Sequence, residues 1–284
     1  MTVLNFFTDP ALIFLRHAII AGVLSSILFG ILGAIVTVRR ISGLAGAISH
    51  AVLGGIGLSM FFASKGKLLF LTPVTGAVLF ALIAGIVIGV VSRKAKQRED
   101  TVINAIWAIG MSIGVLFLAK TPGYVDPMSY LFGNILLISE SDLILLAILD
   151  VIVIFLSWRF YPQIVASSFD EEFARVRGVN TDLIFFVILG ITAISVVLLQ
   201  TVVGIVMIIA MLTLPSGSAS YIARSLAAMI LLGILFSLAF IMAGIFASWQ
   251  TDTPAGAMTV VIAGGFFLLF SVAKNIFNRL RKFL

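Results

Sequence analysis

The chain has 284 residues, of which 61% are hydrophobic and 11% are charged, and its formal net charge is +6. A soluble domain is about half apolar and about a quarter charged, so this composition excludes an ordinary soluble domain and indicates that lipid covers much of the surface. The chain has no cysteine, which excludes disulfides and thiolate metal sites, and its only two histidines are His17 and His50.

Apolar segments of membrane-spanning length follow one another along the whole chain. A helix needs about 20 apolar residues to cross about 30 Å of hydrocarbon, and in lipid such segments are helices because every backbone polar group needs an internal partner. The sequence therefore predicts an all-α fold, a polytopic transmembrane helical bundle of eight or nine spans in which residues 1–284 form one domain. The predicted spans are 15–38, 44–63, 70–92, 102–119, 142–160, 183–199, 201–214, 225–247 and 255–273.

The stretch 183–214 leaves the number of spans open. As one straight helix it would be about 48 Å long at 1.5 Å per residue, so it is either one long bent helix or two shorter helices that meet near Gln200 and Gly204. With nine spans, fourteen of the 18 basic residues fall on one side of the membrane. Because basic residues favour the cytoplasmic side, this bias favours nine spans and a cytoplasmic C-terminus.

Ionisable side chains inside a span are the first functional candidates, because charge is costly in hydrocarbon. His50 lies about a third of the way along the second predicted span, and Asp150 lies near the middle of the fifth. Imidazole suits Zn, Fe, Ni and Cu, whereas carboxylates suit Mn and harder ions. Each residue could equally be a structural group satisfied by a neighbouring carbonyl or hydroxyl. His17, near the outer end of the first span, is expected to be interfacial.

The chain carries no recognisable catalytic machinery of its own. No glycine-rich phosphate-binding loop ending in Gly-Lys-Ser/Thr occurs in the sequence, and no Ser/His/Asp or paired-carboxylate arrangement is legible. We therefore expect that the protein is not an enzyme and that a partner chain hydrolyses any ATP that is used.

The segment 161–182 is predicted to be a long cytoplasmic loop. Within it, the acidic run 170–172 precedes Arg175 and Arg177, and Gly178 closes the run. Acidic residues at the start of a helix and basic residues at its end complement the helix dipole, and glycine favours termination. The pattern fits a short amphipathic helix that docks a soluble partner, and it also fits a merely solvated connection.

Four segments carry more specific motifs. The sequence AISHAVLGG surrounds His50 in the second span. The other three segments are SYLFGNILLISESDL (129–143), SFDEEFARVRGV (168–179) and VVGIVMIIAMLTLPSGSAS (202–220). In content and in order along the chain, the four segments resemble motifs of the zinc/manganese-type permease family of ATP-binding-cassette importers.

The resemblance implies a permease that moves a divalent transition-metal ion into the cytoplasm, with zinc favoured and manganese next. It implies an inner (cytoplasmic) membrane location, and three partners: a cytoplasmic ATP-binding-cassette ATPase, an extracytoplasmic metal-binding protein and a second permease copy in a homodimer. No nucleic acid and no permanently bound cofactor are expected. The ATPase-docking residues implied by alignment with the family loop are Phe169, Asp170, Glu172, Ala174 and Gly178.

The chain departs from the family pattern at the expected metal ligands. The family places Asp and His four residues apart on the second helix; His50 carries over, but Gly46 stands where the Asp is expected and Gly54 where a Pro is expected. Losing the carboxylate biases the site towards imidazole, and this is why zinc precedes manganese. Three accounts stay open: Asp150 supplies the missing charge, two copies of His50 face each other, or the pathway binds no metal tightly.

The alternative function is a proton-coupled secondary metal transporter that uses His50 and Asp150 as a relay. Such a transporter needs no ATPase-docking loop, and the sequence shows no clear inverted repeat of the kind many of them carry. The segment 168–178 therefore distinguishes the two functions. An importer of iron chelates or cobalamin is the nearest related function, and the short motif around His50 favours a bare ion instead.

Overall fold

The structure, a computed structural model, describes residues 12–66, 71–94, 99–123, 133 and 138–280. No strand occurs in these ranges, and the all-α prediction is confirmed. The helices are α1 (Ile13–Val38), α2 (Ser42–Ser64), α3 (Pro73–Lys94), α4 (Glu99–Lys120), α5 (Glu140–Arg159), α6 (Tyr161–Phe169), α7 (Glu171–Val176), α8 (Thr181–Val203), α9 (Ile205–Ser220), α10 (Leu226–Thr251) and α11 (Ala255–Leu280).

Eight of these helices are long and apolar enough to cross a membrane, namely α1 to α5, α8, α10 and α11. They coincide with eight of the nine predicted spans within a few residues. The remaining predicted span, 201–214, corresponds to α9, which is apolar but shorter.

The predicted motif at 129–143 lies outside the described residues except for Gly133 and residues 138–143.

Polar side chains cap several helix starts. The Ser139 hydroxyl accepts from the Asp142 backbone N–H at 3.2 Å, and the Asn180 side-chain oxygen accepts from the Leu183 N–H at 3.0 Å. The first backbone N–H groups of a helix have no partner within the helix, so these side chains satisfy donors that would otherwise lack one. The caps set where α5 and α8 begin.

The doubtful stretch 183–214 consists of two helices. α8 ends at Val203 and α9 begins at Ile205; between them Gly204 has φ 80° and ψ 162°, a conformation that is essentially restricted to glycine. Gly133 packs against this break, because a Cβ at Gly133 would lie 2.9 Å from the Val203 carbonyl oxygen. The prediction that two helices meet near Gly204 is therefore the correct one of the two alternatives.

The helix ends define two faces of the bundle. One, which we call the loop face, carries residues 161–178, and there the Arg39 guanidinium at the end of α1 donates to the Ser167 hydroxyl at 3.1 Å. On the opposite face the start of α1 meets the segment before α5, where His17 Nδ1 lies 3.2 Å from the Ile138 carbonyl oxygen. The position of His17 near a helix start agrees with its predicted place at the edge of the membrane.

The short helix α9 connects these two faces. At its start, Ile205 shares a buried cluster with Leu118 at the end of α4, on the opposite face. Beyond its end, the Ala227 N–H donates to the Tyr161 hydroxyl at 3.1 Å, on the loop face. Nine of the described helices therefore connect the two faces, and eight of these nine have the length of a full span.

Helix α2 is the most deeply buried of the eight long helices, and it crosses α3 and α4 closely. A Cβ at Gly54 would lie 2.8 Å from the Gly110 carbonyl oxygen, and one at Gly57 would lie 2.5 Å from the Gly114 carbonyl oxygen. Small residues at a crossing allow membrane helices to approach closely. This close packing fixes the position of His50 relative to α4.

Candidate functional site

His50 lies inside the bundle on α2. Its side chain is 8% exposed, and its Nδ1 atom is buried without a hydrogen-bond partner among the described residues. The imidazole packs against the indole of Trp107 on α4, with ring centroids 5.0 Å apart. A neighbouring carbonyl or hydroxyl that would satisfy the ring is not found in the described part of the chain, so this nitrogen is free to act as a ligand.

The helical turn before His50 presents open space. Gly46 lies four residues earlier and therefore on the same helix face. A Cβ built at Gly46 would meet no atom within 4 Å. The first side-chain carbon of the Asp expected from the family pattern would thus fit without displacing a neighbour. As it stands, this turn offers an imidazole and no carboxylate.

Asp150 lies on α5 and is 3% exposed. Both of its carboxylate oxygens are buried without a hydrogen-bond partner among the described residues. Helix α5 packs on α1 and α8, whereas the helix of His50 packs mainly on α3 and α4. Within the described ranges, no three His, Cys, Asp or Glu side chains come together in a group that could hold a metal ion. The two predicted metal residues therefore lie on helices that make no extensive contact with each other.

The predicted loop at 161–182 is largely helical. It folds into α6 and α7, and the Asp170 carboxylate caps α7 by accepting from the Phe173 N–H at 2.9 Å. After α7, Gly178 adopts φ 80°, the left-handed conformation in which many helices stop. The pattern of acidic start, basic end and terminal glycine thus identified α7 correctly. It did not reveal α6, which lies before the charged run.

The predicted docking residues differ in accessibility. Phe169 is 68% exposed and Glu172 is exposed, whereas Ala174 is completely buried against the bundle. Two further apolar side chains of α7, Phe173 and Val176, are also exposed. These three exposed apolar side chains of α6 and α7 are available for contact with another protein.

A cluster of charged side chains, which we call the ionic cluster, surrounds Glu171. The Arg93 guanidinium from α3 pairs with Glu171 and lies 3.2 Å from Asp182, and Arg175 lies 2.8 Å from Glu171. The Thr181 hydroxyl donates to the Glu171 carboxylate at 3.2 Å. Partial burial acts to raise the pKa of the Glu171 carboxyl, but the hydrogen bond and charge of Arg93, with Thr181 and Arg175, hold the pKa below its ordinary value of 4.5.

Sequence analysis missed Glu171 as a functional residue. The spacing of Glu171 and Arg175 is a recognisable i, i+4 pair, and it was the only local signal of the cluster. Arg93 is 78 residues away from Glu171 in sequence, and only the fold brings it to α7.

Beside the ionic cluster, a cleft of about 820 Å³ opens between α7 and the ends of α1 and α3. Its lining residues include Arg39, Arg40 and Glu172.

The sequence matches the family model of the ABC 3 transport family over residues 11–274. The chain belongs to the ABC 3 transport family. It is 32% identical over 257 residues to "Manganese transport system membrane protein MntC" of Listeria monocytogenes, covering 90% of this chain and 89% of that protein. It is 31% identical over 270 residues to a "Probable metal transport system membrane protein" of Chlamydia trachomatis, covering 95% and 91%.

One solved structure resembles this ABC 3 chain closely in fold. It is "PsaBC from Streptococcus pneumoniae in complex with Fab", with a TM-score of 0.81 and 28% sequence identity, and the match covers 94% of this chain and 93% of that one. Family membership and structural likeness together confirm the resemblance that the four motifs carried. They also agree with the multi-pass, all-α fold described above.

Proposed function

We propose that this ABC 3 chain is the membrane-spanning permease of an ATP-driven importer for a divalent transition-metal ion. The observation that carries the proposal is His50, a buried imidazole with an unpaired nitrogen on a membrane-spanning helix of a chain whose relatives are named for metal transport. A cytoplasmic ATP-binding-cassette ATPase docks on α6 and α7, and its hydrolysis of ATP drives transport. An extracytoplasmic binding protein delivers the metal.

In this proposal the transported ion contacts His50 transiently as it passes through the bundle. A transport pathway needs binding that is weak enough for release, and one imidazole without an adjacent carboxylate meets that need. Imidazole without carboxylate favours zinc over manganese, so zinc is the first candidate substrate. Manganese is the second, and the name of the Listeria relative supports keeping it in the comparison.

In the proposed orientation the bundle lies in the inner (cytoplasmic) membrane, and the loop face is exposed to the cytoplasm. Basic residues favour the cytoplasmic side, and the described basic side chains are concentrated on the loop face. This orientation gives a cytoplasmic C-terminus. The basic residues at the loop face are Arg39, Arg40, Arg93, Arg159, Arg175, Arg177, Arg224 and Lys274, and those at the opposite face are Arg16, Lys65 and Lys120. Of the other basic residues, Lys94 and Arg279 lie at the loop-face ends of α3 and α11, and Lys67, Lys96, Arg98, Arg281 and Lys282 lie outside the described ranges.

The proposal includes a second copy of the chain. His50 is covered on one side by Trp107, which is itself 47% exposed at the surface of a single copy. A homodimer that meets along this surface would bring two imidazoles to one pathway and so supply a second ligand. Because the chain has no natural cysteine, an Asn104→Cys variant tests this. Asn104 is exposed and lies three residues before Trp107 on the same side of α4, so on oxidation the variant should form a covalent dimer, whereas Ile222→Cys on the loop face should not.

Asp150 is proposed to lend negative charge to the pathway. A polar group without a hydrogen-bond partner is costly to bury, and both Asp150 oxygens lack one among the described residues, so a structural role alone gives little reason for its place in α5. Asp150→Asn should lower metal uptake about tenfold, and Asp150→Leu should leave the thermal stability unchanged or raised. Normal uptake by Asp150→Asn together with a clear loss of stability in Asp150→Leu would instead assign Asp150 a structural role.

The deciding experiment is uptake of radiolabelled zinc and manganese into vesicles that contain the permease, its ATPase and its binding protein. We expect ATP-dependent uptake by the natural chain and at least a tenfold loss in His50→Ala. His17→Ala is the matched control, because that histidine lies at the opposite face. Unchanged uptake by His50→Ala would remove the role of His50, and failure of the purified chain to recruit any ATPase would remove the importer function.

A further inference from the structure

Arg93, at the end of α3, contacts several other helices at the loop face. Its guanidinium pairs with Glu171 on α7 and donates to the Thr181 carbonyl oxygen at 3.1 Å at the start of α8. The same group lies 4.6 Å from the centre of the Phe185 ring. Arg39 from α1 approaches that ring at 5.5 Å. Four elements, α1, α3, α7 and α8, therefore meet around one half-buried guanidinium.

The helix that carries Arg93 also contacts the helix that carries His50. Helices α2 and α3 cross without room for side chains, because a Cβ at Gly55 would lie 2.6 Å from the carbonyl carbon of Gly76. Packed helices at such a crossing cannot deform gradually, so a movement of one is passed to the other. A continuous set of contacts thus runs from α7 through Arg93 and α3 to the turn after His50.

Burial distinguishes the Arg93–Glu171 pair from the other pairs of the ionic cluster. The Arg93 side chain is 20% exposed, whereas Arg175 and Asp182 are 55% and 59% exposed. Exposed ion pairs contribute little, and charge-assisted hydrogen bonds are stronger where water is partly excluded. Arg93 is also held in place by the Phe185 ring. Thr181 also links α7 to α8, but the Arg93–Glu171 pair is the ion pair through which α7 contacts α3.

We propose that Arg93 and Glu171 are positioning residues that couple movement of the docking helix α7 to α3 and, through the crossing of α3 with α2, to the helix of His50. The inference rests on the proposed function as an ATP-driven permease. In this arrangement ATPase binding uses the exposed side chains of α6 and α7. The Arg93–Glu171 pair instead determines how much of the ATPase motion reaches the ion pathway.

The test separates docking from coupling. The reconstituted complex would be measured for ATPase binding, for the ATP hydrolysis rate with binding protein and zinc, and for zinc ions transported per ATP. Glu171→Gln should keep ATPase binding and hydrolysis within about twofold of the natural chain and lower the ions transported per ATP at least fivefold. Asp252→Asn, the same chemical change at an exposed position on the opposite face, should leave this ratio unchanged.

A double-mutant cycle gives the second criterion. If the two residues act as one link, Arg93→Gln, Glu171→Gln and the double variant should show about the same loss. Glu171→Asp, which retains the charge, should recover part of the ratio. Additive losses, an unchanged ratio in Glu171→Gln, or loss of ATPase binding would overturn the coupling role. Absence of ATP-dependent uptake by the natural chain would instead overturn the proposed function, so the two failures are distinguishable.

Discussion

The imidazole of His50 and the indole of Trp107 pack together, with their ring centroids 5.0 Å apart and their planes at 37°. His50 is 8% exposed and Trp107 is 47% exposed, so the indole separates the imidazole from the surface of a single copy. A cation bound at the imidazole would lie close to an aromatic face, which attracts positive charge. The indole is therefore a natural reporter of occupancy at His50.

Trp107 should report metal binding by its fluorescence. The chain has three tryptophans, and replacing Trp158 and Trp249 by Phe leaves Trp107 as the only emitter. Titration of this variant with zinc should give a saturable change in emission, because the ion would occupy the space next to the indole. Adding His50→Ala should abolish the change, and a response that survives this substitution would place the ion elsewhere.

Gly46→Asp should strengthen metal binding and shift its preference towards manganese. The new carboxylate would share a helix face with His50, and the open space at Gly46 accepts its Cβ without a clash. Carboxylate oxygen favours manganese more than imidazole does, so we expect manganese to bind about tenfold more tightly, equivalent to about 1.4 kcal/mol. Gly46→Asn is the control of equal shape without the charge. A metal titration in which both variants resemble the natural chain would contradict the prediction.

Gly204→Ala should destabilise the protein. The φ of 80° and ψ of 162° at Gly204 are strained for any residue with a Cβ, at a cost of about 1–3 kcal/mol. The control is Gly190→Ala, where a Cβ would meet no atom within 4 Å and alanine favours the helix. Thermal unfolding in detergent should show a lower midpoint for Gly204→Ala alone. Equal midpoints would mean that the break between α8 and α9 does not depend on glycine.

The stability conferred by Glu171 should depend on pH in a defined direction. Its carboxyl has a folded-state pKa below the ordinary value of 4.5 because of Arg93 and its neighbours. A depressed pKa contributes stability above the unfolded value, and that stability is lost as the pH falls through the lower, folded value. The difference in unfolding midpoint between the natural chain and Glu171→Gln should therefore be constant near neutral pH and shrink below about pH 4.5. A difference that grows on acidification would contradict this assignment.

Much of the fold could be predicted because membrane helices follow a local rule. Each long apolar run must form a helix in lipid, and eight of the nine predicted spans coincide with full-length helices. The break at Gly204 was among the predicted alternatives, since a glycine and a length limit are both visible in one segment. The charge order of residues 170–178 likewise predicted α7, because capping and dipole effects act within a few residues.

Part of the candidate site was also visible in the sequence. His50 and Asp150 stood out because ionisable residues are rare within apolar spans. Their surroundings were not predictable: the indole beside His50 comes from α4, and the helix of Asp150 packs away from α2. No spacing rule relates residues on different helices, so periodicity gives no information on which of them meet.

The sequence by itself determined the class of protein and the approximate positions of its long apolar helices, with His50 and Asp150 inside them, because the cost of exposing backbone and charge to lipid acts on each segment separately. It left eight or nine spans open, and the structure decided this by the helix break at Gly204. Only the tertiary structure decided that Trp107 covers His50 and that Arg93 holds Glu171. These contacts join residues that are 57 and 78 positions apart. The contact between His50 and Trp107 depends on the close crossing of α2 and α4 at Gly54 and Gly110, and such crossings follow from the packing of the whole bundle.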